Sequence, residues 1–576
     1  MSLFRVWAPY ARQQVQLVLG DDLYALHPAG DGWWQVDAED VRPDTNYTFL
    51  LDDKGAMPDP RSPSQPCGVH LASRTLDHES FAWQNDTWSL TPLAESIIYE
   101  LHIGTFTSEG TFEGAVRKLD YLTSLGVTHV ELMPVVEFAG SRGWGYDGVD
   151  LYAPHHAYGG PVGLKRLVDA CHGRGLGVIL DVVYNHLGPS GNYIEHFGPY
   201  LSHGNTPWGQ AINLDGPGSN EVRRFFIDNA LMWLRDYRLD GLRLDAVHAI
   251  FDTSAVHFLE QLATEVKQMS ARLGRRLEVI AESSLNDPRL VWPVDRGGYG
   301  LDATWCEDLH HALHGVLTRE RHGFYQDYFG VSDLAKALRH VYCLDGRFSS
   351  FRGRRHGRAA INVSGHNFVT FSQNHDMAGN RPQGERLCHL AGIAAARVAA
   401  ATILTAPTVP MIFMGEEWAA STPFLFFTDH NPEIAEQVHR GRMREFAEFG
   451  WPSVDTPAPN DAAAFKRSRL DWSEIDRPPH NQMLDWYKGL IKLRRSTPDL
   501  HDGRLDSVEV AFNEDPPWLE LRRGSIRLAA NLSDDSLRLP AISAGDIVLT
   551  SHESARLDAG DVYLPRMSVA LLRRSS

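Results

Sequence analysis

The sequence predicts an α/β fold: a closed (β/α)8 TIM barrel with an N-terminal β-sandwich before it and a small C-terminal β domain after it. Three observations lead there. The 576 residues exceed what one ordinary domain of about 100 to 200 residues holds. The middle of the chain repeats one pattern eight times, a short apolar run closed by polar or acidic residues, with amphipathic helical stretches between the runs. Both ends carry short alternating runs broken by Gly, Asp and Pro.

Taken in order, residues 1–88 form the sandwich. The runs 15–19 and 47–51 alternate at the strand period, and no helical period interrupts them. WSLTPLAE at 88–95 is a connector. From Ser96 the strands are SIIYELHI at 96, HVELMPV at 129, GVILDVVYNH at 177, GLRLDAV at 241, EVIAES at 278, ATWCEDLH at 303, FVTFSQNHD at 368 and VPMIFMGEE at 409. A helix over 113–125 places Val116, Leu119 and Leu122 on one side, and one over 221–237 does the same with Phe225, Phe226, Trp233 and Leu234. Eight strands alternating with helices favour a closed barrel over an open sheet, and long loops extend the barrel domain over 89–500. The apolar stretch 390–414 is interrupted by Arg397, Pro407 and Pro410, so it reads as a core helix followed by a buried strand. Apolar residues at 483, 486, 487, 490 and 491 make 481–495 the last barrel helix. Residues 501–576 return to short strands, among them 526–530 and 568–572. FRGRRHGR at 351–358 is expected to be a solvated, mobile loop.

Composition narrows the function. With 43% hydrophobic and 22% charged residues the chain can bury a large core throughout. Lys and Arg number 55 against 73 Asp and Glu, and the net charge of −18 repels phosphate backbones and anionic membranes, so neither nucleic acid nor membrane is an expected partner. Five scattered cysteines without CxxC spacing suggest no disulfide framework and no thiolate metal site. The opening MSLFRVWAPY shows no basic segment followed by an apolar run. A cytoplasmic location is expected.

In such a barrel the reacting groups project from the C-terminal strand ends. The fourth strand ends RLDAVH, with Arg243 and Asp245 on one side of it. A guanidinium beside a carboxylate keeps it ionised, which suits a nucleophile. The fifth ends VIAES, where burial of Glu282 favours the protonated acid. The seventh presents His375 and Asp376, and the third presents Asn185 and His186 beyond Asp181. Each signal alone is weak, since an Arg–Asp pair or a strand-end Glu is often structural. Together they fit glycoside cleavage through an oxocarbenium-like transition state, with Asp245 attacking, Glu282 protonating the leaving oxygen and Asp376 holding hydroxyls of the distorted ring. A spacing of about 5 to 5.5 Å between the first two carboxyl groups would make the reaction retaining.

DVVYNH at 181, GLRLDAVH at 241, the Glu282 context and SQNHD at 372 resemble the four signature segments of the α-amylase superfamily, in the usual order. The resemblance implies the same three roles for Asp245, Glu282 and Asp376, with Arg243, His186 and His375 as supports and Tyr146 of WGYDG stacking on the glucose at the cleaved bond. FRVWAPYA resembles the module that precedes the barrel in glycogen branching and debranching enzymes. WGYDGVDLYAPHHAYGGP at 144, WGQAINLDGPGS at 208 and MGEEWAASTPFLFFTDH at 414 resemble the maltooligosyltrehalose trehalohydrolase family. That family implies hydrolysis of the α-1,4 bond beside a terminal trehalose, and a maltooligosyltrehalose synthase as the pathway partner that makes the substrate. Recognition of the terminal glucose calls for aimed polar groups, for which Glu416, Glu417, Asp429 and His430 are candidates, with Trp208 as a stacking surface. Asn185 matches a calcium ligand of many α-amylases, but no convincing set of oxygen ligands accompanies it, so no metal and no cofactor are expected. Two rival readings remain: an α-1,4-glucan branching enzyme, which transfers the glycosyl group, and a glucan-binding protein that has lost catalysis.

Overall fold

The computed structural model describes residues 2–39, 41–451, 456–540, 545–558 and 560–574. Eight parallel strands close into a barrel: Ile98–Leu101, His129–Leu132, Gly177–Val182, Gly241–Leu244, Glu278–Ala281, Ala303–Trp305, Phe368–Phe371 and Val409–Phe413. They are the eight expected strands in the expected order, and the last pairs with the first through Met411 and Ile98. Closure follows from the inward side chains. Ile98, Ile179, Ile280, Trp305, Val369, Phe371, Val409 and Met411 fill the interior as one cluster, and the buried runs leave neither face for water.

The helices differ from expectation at one place. The predicted helix 113–125 is two, Phe112–Val116 and Leu119–Leu125, with Lys118 (φ −104°, ψ 0°) at the break and its ammonium 3.9 Å from the Trp472 ring centroid. Ser219–Asp236 and His480–Ser496 form as read. Leu387–Thr405 bends at Gly392 (φ +81°) and is followed by the eighth strand. It is long and apolar enough to cross a membrane, yet Val398, Ala399, Ile403 and Leu404 are buried in the core it shares with the helix His480–Ser496. The segment 351–358 is mostly exposed, as expected, and it carries a short hairpin strand where only a loop was read. Phe348–Ser349 pairs with Arg354–Arg355, Ser350 N donates to Asp327 Oδ1 (2.6 Å), and buried His356 bonds Ser284 O (2.8 Å).

Before the barrel, Ser2–Trp7, Trp33–Ala38 and His27–Gly30 form one antiparallel sheet; Asp22–Ala25, Val15–Leu19, Asn46–Leu51 and Ala56–Met57 form the other. The sandwich lies on the loops after the third strand. Trp7 meets Tyr200 edge-on at 5.1 Å, Tyr10 N donates to Phe197 O (3.1 Å), and Arg61 pairs with Asp228 (3.0 Å). These contacts steady the base of the hairpin Leu201–Thr206 and Gly209–Ile212, which reaches over the barrel mouth. After the barrel, Pro517–Arg523, Ile526–Asn531 and Ser568–Arg574 are the centre of a five-stranded antiparallel sheet, with a three-stranded sheet beside it.

Candidate active site

The fourth strand ends in the register that the chemistry needs. Leu244 pairs with Ala281, so Asp245 and Glu282 are the next residues of adjacent strands, and Glu282 N donates to Leu244 O (2.9 Å). Between them sits Arg243, with a fully buried side chain. Its Nη1 meets Asp245 Oδ1 at 2.9 Å and Asp181 Oδ2 at 2.7 Å, and its Nη2 meets Glu282 Oε2 at 3.1 Å. The guanidinium rests on the Trp305 ring at 4.2 Å. One cation therefore fixes three carboxyl groups of three neighbouring strands, and the rigid fork sets where each can lie.

The carboxyl groups differ in access, and burial sets the protonation of one of them. Asp245 and Glu282 are each 12% exposed and Asp376 is 34% exposed, whereas Asp181 and Glu100 are at 2% and 1%, so only the first three reach the cleft. Burial pushes Glu282 up to about 8; Arg243 opposes the shift, and the negative charges of Asp245, Asp376 and Glu307 reinforce it. Glu282 thus holds its proton at neutral pH. Its Oε2 also accepts from Ala246 N (2.6 Å). Asp245 is held from its other side by Asn185, whose Nδ2 donates to Asp245 O (2.9 Å) and Oδ2 (2.8 Å).

On the opposite wall, burial alone would lower the His375 pKa. Asp376 and Glu100 outweigh it and raise the imidazole to about 9, so His375 is a cation at neutral pH. Its Nδ1 bonds Glu100 Oε1, and its Nε2 faces Tyr146 OH (2.9 Å) and Asp376 Oδ2 (3.4 Å). Tyr146 donates in turn to Asp181 Oδ2 (2.6 Å), and its ring stacks on His375 at 5.2 Å and 22°. His186 lies across the mouth, kept neutral by burial, and bonds Asn185 Oδ1 through Nδ1.

The comparisons with known proteins agree with this geometry. Residues 78–204 match the family "Alpha amylase, catalytic domain", and 503–571 match a domain of unknown function, DUF3459. A malto-oligosyltrehalose trehalohydrolase of Rhizobium sp. (strain M-11) is 47% identical over 99% of this chain and 97% of its own length. One from Arthrobacter ramosus is 48% identical over 99% of each chain. A crystal structure assigned as an alpha amylase of Salmonella typhimurium superposes with a TM-score of 0.92 at 37% identity, covering 100% of this chain and 97% of that one. The chain belongs to the malto-oligosyltrehalose trehalohydrolase family.

Of the residues weighed for distal sugar recognition in this trehalohydrolase-family chain, the structure brings some to the mouth and removes others. Trp208 is at the tip of the hairpin over the mouth, 50% exposed, with its ring stacked on His186 at 5.7 Å and 26°. His430 bonds Asp147 Oδ2 (3.0 Å), beside Tyr146. Asp429 is spent within the loops, paired with Arg142 (2.6 Å) and accepting from Ser141 N (2.9 Å). Glu416 and Glu417 are not at the site. The chain turns back at Gly415 (φ +82°) and buries both carboxyls, Glu416 against Tyr487 OH (2.6 Å) and Ser372, Glu417 against Tyr99 OH (2.9 Å) and Tyr121 OH (2.8 Å). They join the eighth strand's exit to the helices outside the barrel wall.

Asn185 serves Asp245 here, and its oxygen is already taken by His186. Among the described residues one group, Glu137, His155 and His156, has donor atoms within 4.8 Å of one another. It does not fit a metal as arranged. His155 Nδ1 accepts from Ala157 N (3.1 Å), which leaves the imidazole proton on Nε2, the atom that faces Glu137, and His156 Nδ1 already bonds Glu137 (2.7 Å).

Sequence reasoning missed Glu100, which with Asp376 raises the pKa of His375, and Glu307, which burial and Asp376 raise to about 7. Glu307 follows the apolar run ATWC and so carried the strand-end signal that found Glu282, whereas Glu100 lies inside the strand Ile98–Leu101 and carried none.

Proposed function

We propose that this chain hydrolyses the α-1,4 bond next to the terminal trehalose of maltooligosyltrehalose, releasing trehalose and a maltooligosaccharide, by retaining double displacement. The single observation that carries the mechanism is the Arg243 guanidinium lying within 2.9 Å of Asp245 and 3.1 Å of Glu282 at once, which puts the two carboxyl groups, the second of them protonated, on one wall of the mouth. The substrate assignment comes from full-length relatives bearing that name.

Asp245 attacks the anomeric carbon of the glucose in the mouth, and the bond to the trehalose oxygen breaks as Glu282 delivers its proton there. Trehalose leaves. The glycosyl ester on Asp245 is then opened by water, whose proton returns to Glu282. Asp376 and the His375 cation hold ring hydroxyls while positive charge builds at the anomeric carbon. Tyr146 and Trp208 offer aromatic faces to sugars on either side of the bond, and His186 and His430 contribute polar contacts. A maltooligosyltrehalose synthase supplies the substrate, and both enzymes work in the cytoplasm; the scattered free cysteines accord with a reducing compartment.

Incubation with maltooligosyltrehalose followed by chromatography tests the reading. Free trehalose and a maltooligosaccharide shorter by that unit are expected. Branch points formed in amylose would point to glycosyl transfer, and unchanged sugar to a binding protein.

A further inference from the structure

The helix Pro432–Glu448 follows the eighth strand, and Phe446 is its one buried side chain. Apolar burial gives that helix little reason to dock. Its polar insertion is Arg442, 11% exposed, with the guanidinium 5.0 Å from the ring centroids of both Phe426 and Phe446 and paired with Glu445 (2.6 Å). From there it donates to Asn380 Oδ1 (3.0 Å) and Asn380 O (3.0 Å). Asn380 sits four residues after Asp376, and its Nδ2 donates to Asp376 Oδ1 (3.0 Å).

The chemistry of the three groups gives this chain of bonds a direction. A guanidinium only donates, so it takes the oxygen of the Asn380 amide. The amide's remaining face is its NH2, and that face meets Asp376. We propose that Arg442 and Asn380 are positioning residues that hold the Asp376 carboxylate in the rotamer it uses on the sugar. This deepens the proposed function and rests on Asp376 acting in that reaction. With Oδ1 hydrogen-bonded by Asn380 and Oδ2 drawn by the charge of the His375 cation at 3.4 Å, the carboxylate is oriented before substrate arrives. The helix Pro432–Glu448 thus connects to Asp376 through one amide.

The test uses the full chain as wild type, Asn380→Ala, Asn380→Asp, Arg442→Ala, Arg442→Lys and the double alanine variant, assayed for kcat and KM on maltooligosyltrehalose and on amylose, with thermal melting alongside. Asn380→Ala and Arg442→Ala should each lower kcat about ten- to a hundredfold, with KM within about threefold. The double variant should be no slower than the slower single variant, because both remove one shared constraint. Asn380→Asp keeps size and the Arg442 contact but turns a second carboxylate on Asp376, so it should lose at least as much as Asn380→Ala. Arg442→Lys should recover part of the rate. Multiplying losses in the double variant, a raised KM with unchanged kcat, or wild-type turnover in Arg442→Ala at an unchanged melting temperature would each overturn the relay. The wild-type products decide the functional reading separately: absence of trehalose defeats that reading, while the variant-to-wild-type kcat ratio on whichever glucan is cleaved still decides the relay.

Discussion

Asp245 and Glu282 close the fourth and fifth strands, Glu416 and Glu417 follow the eighth, and all four lie largely out of water. Their neighbours set them apart. The first pair shares one buried guanidinium and keeps an edge on the cleft; the second is capped by the hydroxyls of Tyr487, Tyr99 and Tyr121, with no cleft beside it. A carboxyl group held by neutral donors braces a fold. One held by a shared cation at the edge of a cleft, with its own proton kept by burial, is ready for proton transfer.

The sharpest way to break that contrast is to remove the chemistry from the first pair. Asp245→Ala and Glu282→Gln should each reduce kcat by about 10⁴-fold or more, with chemical denaturation close to wild type. Turnover near wild type in either variant would remove that residue from the mechanism and leave the two pairs alike.

The protonation difference gives the next largest effect. Because the Glu282 pKa is raised to about 8, the acid form persists through neutrality and is lost as pH rises through that value. The profile of kcat/KM should therefore show an alkaline limb near pH 8, falling about tenfold per unit beyond it. A limb in the ordinary carboxylate range, about 4 to 5, would mean that burial does not hold the proton.

How much of this was legible in the sequence follows the range of the interactions. Strand identity is local, so all eight barrel strands and the strand-end residues Arg243, Asp245, Glu282, His375 and Asp376 could be read from patterning and neighbours. The partner of His375, Glu100, lies 275 residues earlier, and the hydroxyls that cap Glu416 and Glu417 come from 71 to 318 residues away. Strand-end acidity looked the same in both carboxylate pairs, so only the folded neighbours could separate them.

Trp208 sharpens the comparison from the substrate side. It is an exposed ring at the rim, and it touches the site through His186 alone among the residues proposed to bind sugar. Trp208→Ala should raise KM about tenfold through lost stacking while kcat falls much less, measured on maltooligosyltrehalose. An equal fall in kcat with KM unchanged would make the ring part of the transition-state contacts.

Glu417→Gln should have the smallest effect on turnover, within about twofold, because no substrate contact is lost. Its informative effect is on stability. Burial raises Glu417 to about 7, so between the unfolded carboxyl's ordinary range and that value the native chain holds a proton that the unfolded chain releases. This group's contribution is therefore fully present below about pH 4 and is lost as pH rises through about 7, an amount on the order of 3 kcal/mol. Glutamine keeps the oxygen that accepts from Tyr99 and Tyr121 and cannot ionise, so the variant loses that slope. The stability gap between wild type and variant, from urea denaturation at a series of pH values, should shift in favour of glutamine as pH rises. A constant gap would mean that Glu417 stays ionised in the fold, and the two glutamates would then differ in protonation as well as in exposure and partners.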